Sequence, residues 1–135
     1  MILKNAYALV FGMADELQLG DNVRGYLSVA ALRELDQIVC FMGGQAGSAY
    51  HLAGLGDLIT TATSEASHHH TLGRLLAKEE TDDISGEGIH TLAMVSQHNL
   101  FDTANYPLFQ LIETIVDQPR EVERRISEYL SQVYA

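Results

Sequence analysis

The chain has 135 residues and a formal net charge of −10, with 47% hydrophobic and 19% charged residues. That length suits one domain with a core of its own, and no apolar run approaches the ~20 residues that span a bilayer. Eight Lys and Arg residues with no basic cluster argue against a nucleic-acid partner or an anionic membrane surface. A small anionic ligand stays possible only in a local cationic pocket within a repelling field.

The stretch after Met1 holds one lysine and soon turns amphipathic, so it does not read as a secretory signal. Cys40 has no second cysteine to pair with. It lies in an apolar run and is expected to be a small buried hydrophobe. A reducing, cytoplasmic setting is the corresponding expectation.

The apolar spacing is helical from end to end. Residues 3–18 carry Leu9, Val10, Met13 and Leu17 at helical intervals. Gly20 suits the end of this helix, and Asp21 or Asn22 suits the next N-cap. Residues 23–42 form a second helix with Leu27, Ala31, Leu35, Ile38 and Met42 on or near one face, and Gly43-Gly44 ends it. Residues 45–66 are glycine- and threonine-rich and the least core-like part of the chain. Ser67 caps a helix to about Lys78, an acidic turn covers 79–83, and a further helix covers 87–98. Pro107 takes the first helical position ahead of Leu108, Leu111, Ile112, Ile115 and Val116. Pro119 is expected to start the last helix likewise, with a stripe of Val122, Ile126, Tyr129, Leu130 and Val133. The expected fold is all-α, six to seven helices in one bundle-like domain. No Gly-x-Gly-x-x-Gly follows a strand, so no dinucleotide-binding Rossmann unit is expected in this chain.

A few residues bear chemistry. Lys4, beside Asn5, reads either as a solvated terminal lysine or as an ammonium that polarises a carbonyl and exchanges a proton with an alcohol. Asp57, in Gly54-Leu55-Gly56-Asp57-Leu58, reads either as an N-cap or as a carboxylate facing a cleft, with Thr61 one turn on. His68-His69-His70 invites a metal reading, but consecutive helical residues point about 100° apart and cannot share one ion. Gly86-Glu87-Gly88 reads either as a turn before a helix or as a carboxylate set against a ligand.

In order, Leu3-Lys4-Asn5, Gly20-Asp21-Asn22, Leu52 to Leu58 with Thr61 and Ser64, Gly73 and Glu87-Gly88 resemble the C-terminal domain of NAD(P)-dependent glycerol-3-phosphate dehydrogenases. The resemblance covers almost the whole chain and runs from 23 to 58 without a gap. It implies a helical domain of the 6-phosphogluconate dehydrogenase C-terminal type, packed in the whole enzyme against an N-terminal Rossmann domain that this chain lacks. The implied reaction reduces dihydroxyacetone phosphate to glycerol 3-phosphate with NAD or NADP, in glycerophospholipid metabolism. By the resemblance Lys4 is the catalytic lysine and Asp57 orients it. Asn5, Thr61, His68 and His69 fall at substrate-binding positions, and Glu87 falls where the family approaches the dinucleotide.

Two departures bear on substrate. The family has Ser-Arg-Asn-Arg where this chain has Ser67-His68-His69-His70, and Thr-Arg-Gly where it has Val29-Ala30-Ala31. A guanidinium is a permanent bidentate phosphate binder, and an imidazole is neither. One expectation is therefore a divergent dehydrogenase domain, inactive by itself. The other is a degenerate domain of the same fold that serves binding or assembly. Apolar surface that meets the Rossmann domain would be exposed in an isolated domain, so a homodimer is expected.

Overall fold

The computed structural model describes residues 3–43, 68–80 and 87–134. Among them are six α-helices and no strand: α1 (Leu3–Glu16), α2 (Asp21–Phe41), α3 (His68–Ala77), α4 (Glu87–His98), α5 (Pro107–Asp117) and α6 (Val122–Tyr134), with a 3-10 turn at Thr103–Asn105. The all-α expectation therefore holds.

The first helix is the axis of the domain. Ala6 to Phe11, then Met13 and Ala14, are each no more than 1% exposed. A helix apolar on all sides belongs in the centre of a fold, and α1 is packed by α2, α3, α4 and α5 together. The sixth helix lies outside, against α5 and, more lightly, α3. Of its predicted stripe, Val122, Ile126 and Tyr129 are buried and Leu130 is half-buried, while the side chain of Val133 lies outside the described residues.

The closest packing is between α1 and α3. A Cβ on Gly12 would overlap the His70 carbonyl oxygen, and a Cβ on Gly73 would overlap the Leu9 carbonyl oxygen. Both glycines are needed for the two backbones to meet.

The start of α5 depends on a carboxylate from another helix. Its N-cap, Tyr106, offers no side-chain cap, and Pro107 removes one orphan donor. Glu34 of α2 takes up two more. Its Oε2 accepts the Leu108 N–H at 2.8 Å and its Oε1 accepts the Phe109 N–H at 2.9 Å. The Tyr7 hydroxyl of α1 donates to Oε1 at 2.8 Å. One buried side chain thus ties three helices, and the Tyr7 ring meets Phe109 edge-on with centroids 5.8 Å apart. Burial pushes the Glu34 carboxyl above its ordinary range, and the three donors only partly offset this.

Several local expectations are corrected. The first helix stops at Glu16, and Gln18 (φ 54°), not Gly20, takes the left-handed position. Leu19 N–H reaches back to Ala14 and Gln18 N–H to Asp15, a Schellman closure. Gly20 instead occupies the N-cap of α2, so neither Asp21 nor Asn22 does. Met42 lies past the end of α2 and is 55% exposed. Cys40 is exposed rather than buried, because it lies off the Leu35–Ile38 face. Pro119 does not start α6. That helix begins at Val122, after Glu121 takes φ 51°, which is incompatible with continuing a helix from 119. The Gly43 end of α2 holds, at φ 95°. Gly44 and the 45–66 segment lie outside the described residues.

Gly12→Ala is expected to destabilise the domain by about 3 kcal/mol or more through backbone overlap. Gly25→Ala in α2, where a Cβ meets nothing within 4 Å, is expected to stabilise it by roughly 0.5–1 kcal/mol. Urea unfolding of the two variants gives the comparison, and equal midpoints would contradict the tight crossing. Glu34 provides a pH test. A carboxyl raised in the folded state adds stability below its unfolded pKa and loses it as pH rises through the folded value. The stability of wild type relative to Glu34→Gln should therefore decline from about pH 4 upward, and a pH-independent difference would refute the assignment.

Candidate functional site

Lys4 and Asn5 sit in the first turn of α1. Lys4 is half-buried and Asn5 is 8% exposed, so the pair stands where the buried axis of the domain reaches its surface. No acid lies in that first turn. The lysine ammonium is therefore at the positive end of the helix dipole, a position that favours an anion or a developing negative charge beside it.

The histidine run divides into two kinds of residue. His70 is fully buried, and its Nε2 lies 2.5 Å from Asp15 Oδ2. An ionised carboxylate only accepts, so Nε2 carries the hydrogen. Its Nδ1 is buried with no hydrogen-bond partner among the described residues. His68 is exposed and His69 half-buried, with their rings edge-on at 5.5 Å between centroids. The run thus puts one imidazole into the packing and leaves two toward the surface. Among the described residues no three His, Cys, Asp or Glu side chains gather as a metal site.

Asp15 does more than hold His70. Its Oδ1 pairs with Arg24 Nε at 3.0 Å. Its neighbour Glu16 faces Arg74 at 3.4 Å and Lys78 at 3.8 Å. Two carboxylates at the C-terminus of α1 oppose the helix dipole, and cations from α2 and α3 offset them. This network locks the entry of α3 to the far end of α1. Lys4 is eleven residues before Asp15, roughly 16 Å along the helix. Lys4 and His70 therefore occupy different stations along α1.

Of the predicted site residues, Lys4, Asn5, His68 and His69 are described. The side chain of Glu87 lies outside the described residues, although its backbone opens α4, so Glu87 and Gly88 form the first turn rather than a loop before the helix. Asp57 and Thr61 also lie outside them. Sequence reasoning missed Glu34 and Asp15, each of which joins its own helix to two others. Glu34 sits between Leu32 and Leu35 on a helix of mixed polarity, and nothing local separates a buried helix-capping acid from a solvated one.

The architecture superposes on part of a solved dehydrogenase. The crystal structure of glycerol-3-phosphate dehydrogenase from Coxiella burnetii matches with a TM-score of 0.77 and 28% identity, over 96% of this chain and 42% of that one. The fold is thus that of a helical dehydrogenase domain. The family model for the NAD-dependent glycerol-3-phosphate dehydrogenase C-terminus matches residues 1–127, and the chain belongs to that family. Curated relatives agree. Glycerol-3-phosphate dehydrogenase [NAD(P)+] of Deinococcus radiodurans is 38% identical over 70% of this chain and 30% of its own length. The Agrobacterium fabrum enzyme of the same name is 30% identical over 96% of this chain and 41% of its own length. The chain therefore spans about two fifths or less of the relatives it matches.

His70→Ala is expected to cost roughly 2–3 kcal/mol, since it removes a buried ring and one of the two partners of Asp15. His68→Ala is expected to stay within about 1 kcal/mol. Thermal unfolding of both variants tests this division, and equal losses would refute it.

Proposed function

We propose that this chain is the substrate-side half of an NAD(P)-dependent glycerol-3-phosphate dehydrogenase, inactive without a Rossmann domain. The observation that carries this reading is Lys4, half-buried at the dipole-positive end of the central helix of a domain in this family. Reduction of a ketone builds negative charge on its oxygen. The Lys4 ammonium stabilises that charge and gives the proton to the nascent alcohol.

In this reading Asp57 orients Lys4, and Asn5 and Thr61 hydrogen-bond the substrate. His68 and His69 line the phosphate side. Glu87, opening α4, offers a carboxylate suited to hydroxyl groups of the dinucleotide. Reduced NAD or NADP, held mainly by the Rossmann domain, would supply the hydride. The substrate is a phosphorylated triose, the setting is cytoplasmic, and the domain pairs with a second copy of itself.

A second reading rests on His68, which stands where the family has an arginine. A domain that lost its phosphate anchor keeps the fold while serving binding or assembly.

Calorimetric titration of glycerol 3-phosphate into the 135-residue chain tests the two. The enzymatic reading expects weak binding that disappears in Lys4→Ala and strengthens about tenfold in His68→Arg. Binding absent from the wild type but gained in His68→Arg favours the second reading. If no variant binds, the Rossmann domain is supplied in trans and dihydroxyacetone phosphate reduction is measured. No turnover in that mixture rules the enzymatic reading out.

A further inference from the structure

A groove runs between α4 and α5, away from the residues discussed above. It has two lobes, of about 390 and 490 Å³, that share Ser96 and Glu113. Lys4, His68 and His69 line neither lobe. The floor is apolar, with Leu92, Val95 and Phe101 each less than 7% exposed. Phe41 and Leu100 line the first lobe and are 66% and 39% exposed, so apolar surface continues onto its rim.

Among the described residues the charge of the groove has one sign: Asp102, Glu113 and Asp117 line it, and no described Lys, Arg or His does. Asp102 is engaged, since its Oδ1 accepts the Ala104 N–H at 3.0 Å. Glu113 is only half engaged. Its Oε1 accepts the Thr103 hydroxyl at 3.4 Å. Its Oε2 is buried and has no hydrogen-bond partner among the described residues. A buried carboxylate oxygen without a donor is costly, so the Glu113 carboxylate gains by turning toward a donor that enters the groove it lines. Burial pushes the Glu113 carboxyl up and the charge of Asp117 adds to this, with the Thr103 hydroxyl a partial offset.

We propose that the α4–α5 groove docks a basic segment of another polypeptide, whose arginine or lysine head pairs with Glu113 while its aliphatic stem lies on the apolar floor. Charge complementarity selects the cation, and long basic side chains carry the apolar stem that such a floor accommodates. The shape selects a polypeptide. The groove is partly open, and α4 from Ile89 to His98 gives it roughly 14 Å. A metabolite needs most of its surface enclosed, whereas a chain lying across the helices needs only pockets for its side chains.

The test is fluorescence anisotropy with a labelled, blocked hexapeptide of alternating leucine and arginine. A second peptide carries citrulline, the neutral isostere, at each arginine position. The arginine peptide is expected to bind the wild-type chain at least about tenfold more tightly than the citrulline peptide. Glu113→Gln keeps an acceptor for Thr103 and is expected to weaken the arginine peptide by about tenfold. Glu123→Gln removes the same charge from the exposed face of α6 and is expected to change binding by less than about twofold. Leu100→Ala, at the rim, is expected to cost about threefold. Equal weakening in Glu113→Gln and Glu123→Gln would reduce the effect to net charge and overturn the proposal. So would equal affinity for both peptides, absence of binding, or free agmatine binding as tightly as the peptide.

Discussion

Everything described in this domain depends on how closely α1 and α3 approach. Gly12 and Gly73 each leave room for a carbonyl of the other helix. At that separation α3 covers one side of α1, so the central helix is sealed along Ala6 to Ala14. Dispersion and the removal of apolar surface from water both grow with such contact. The same crossing determines where His70 and Arg74 fall, and hence which side chains meet the acidic end of α1. Pushing the helices apart by a methyl group would loosen the core and the ion network together.

Glu34 is the second constraint, of opposite character. A buried carboxylate among aliphatic and aromatic side chains is unfavourable unless its lone pairs are met. Here two backbone N–H groups and a tyrosine hydroxyl meet them. In return the first turn of α5 gains the cap that its own sequence lacks. The arrangement sets the register of α5 against α1 and α2, which packing alone leaves looser. Like the glycine crossing, it works at a distance in sequence, with Glu34 and Leu108 separated by 74 positions.

The histidine run shows why a residue type at a family position is weak evidence for a role. Three consecutive imidazoles share a composition, but a helix turns each to a different direction. One becomes part of the packing against Asp15, and the other two remain toward the surface. At position 68 the imidazole is exposed, and such a group is a poorer phosphate partner than a guanidinium. At position 70 the same residue serves stability.

Much of the architecture was legible in the chain itself. The apolar spacing of residues 87–98 and 107–117 and Pro107 at a first helical position reappear unchanged in α4 and α5. Those features are local, since periodicity and backbone stereochemistry act within a few residues. The order of motifs from Leu3-Lys4-Asn5 to Glu87-Gly88 was also legible and led to the family. What the sequence could not decide was which polar groups would be buried. Glu34 and His70 look like solvated residues until distant helices surround them, and Cys40 looks like core until α2 turns it outward. The left-handed residues at Gln18 and Glu121 were invisible for a related reason. Those conformations cost energy locally and persist because the helices on either side are held by the rest of the fold.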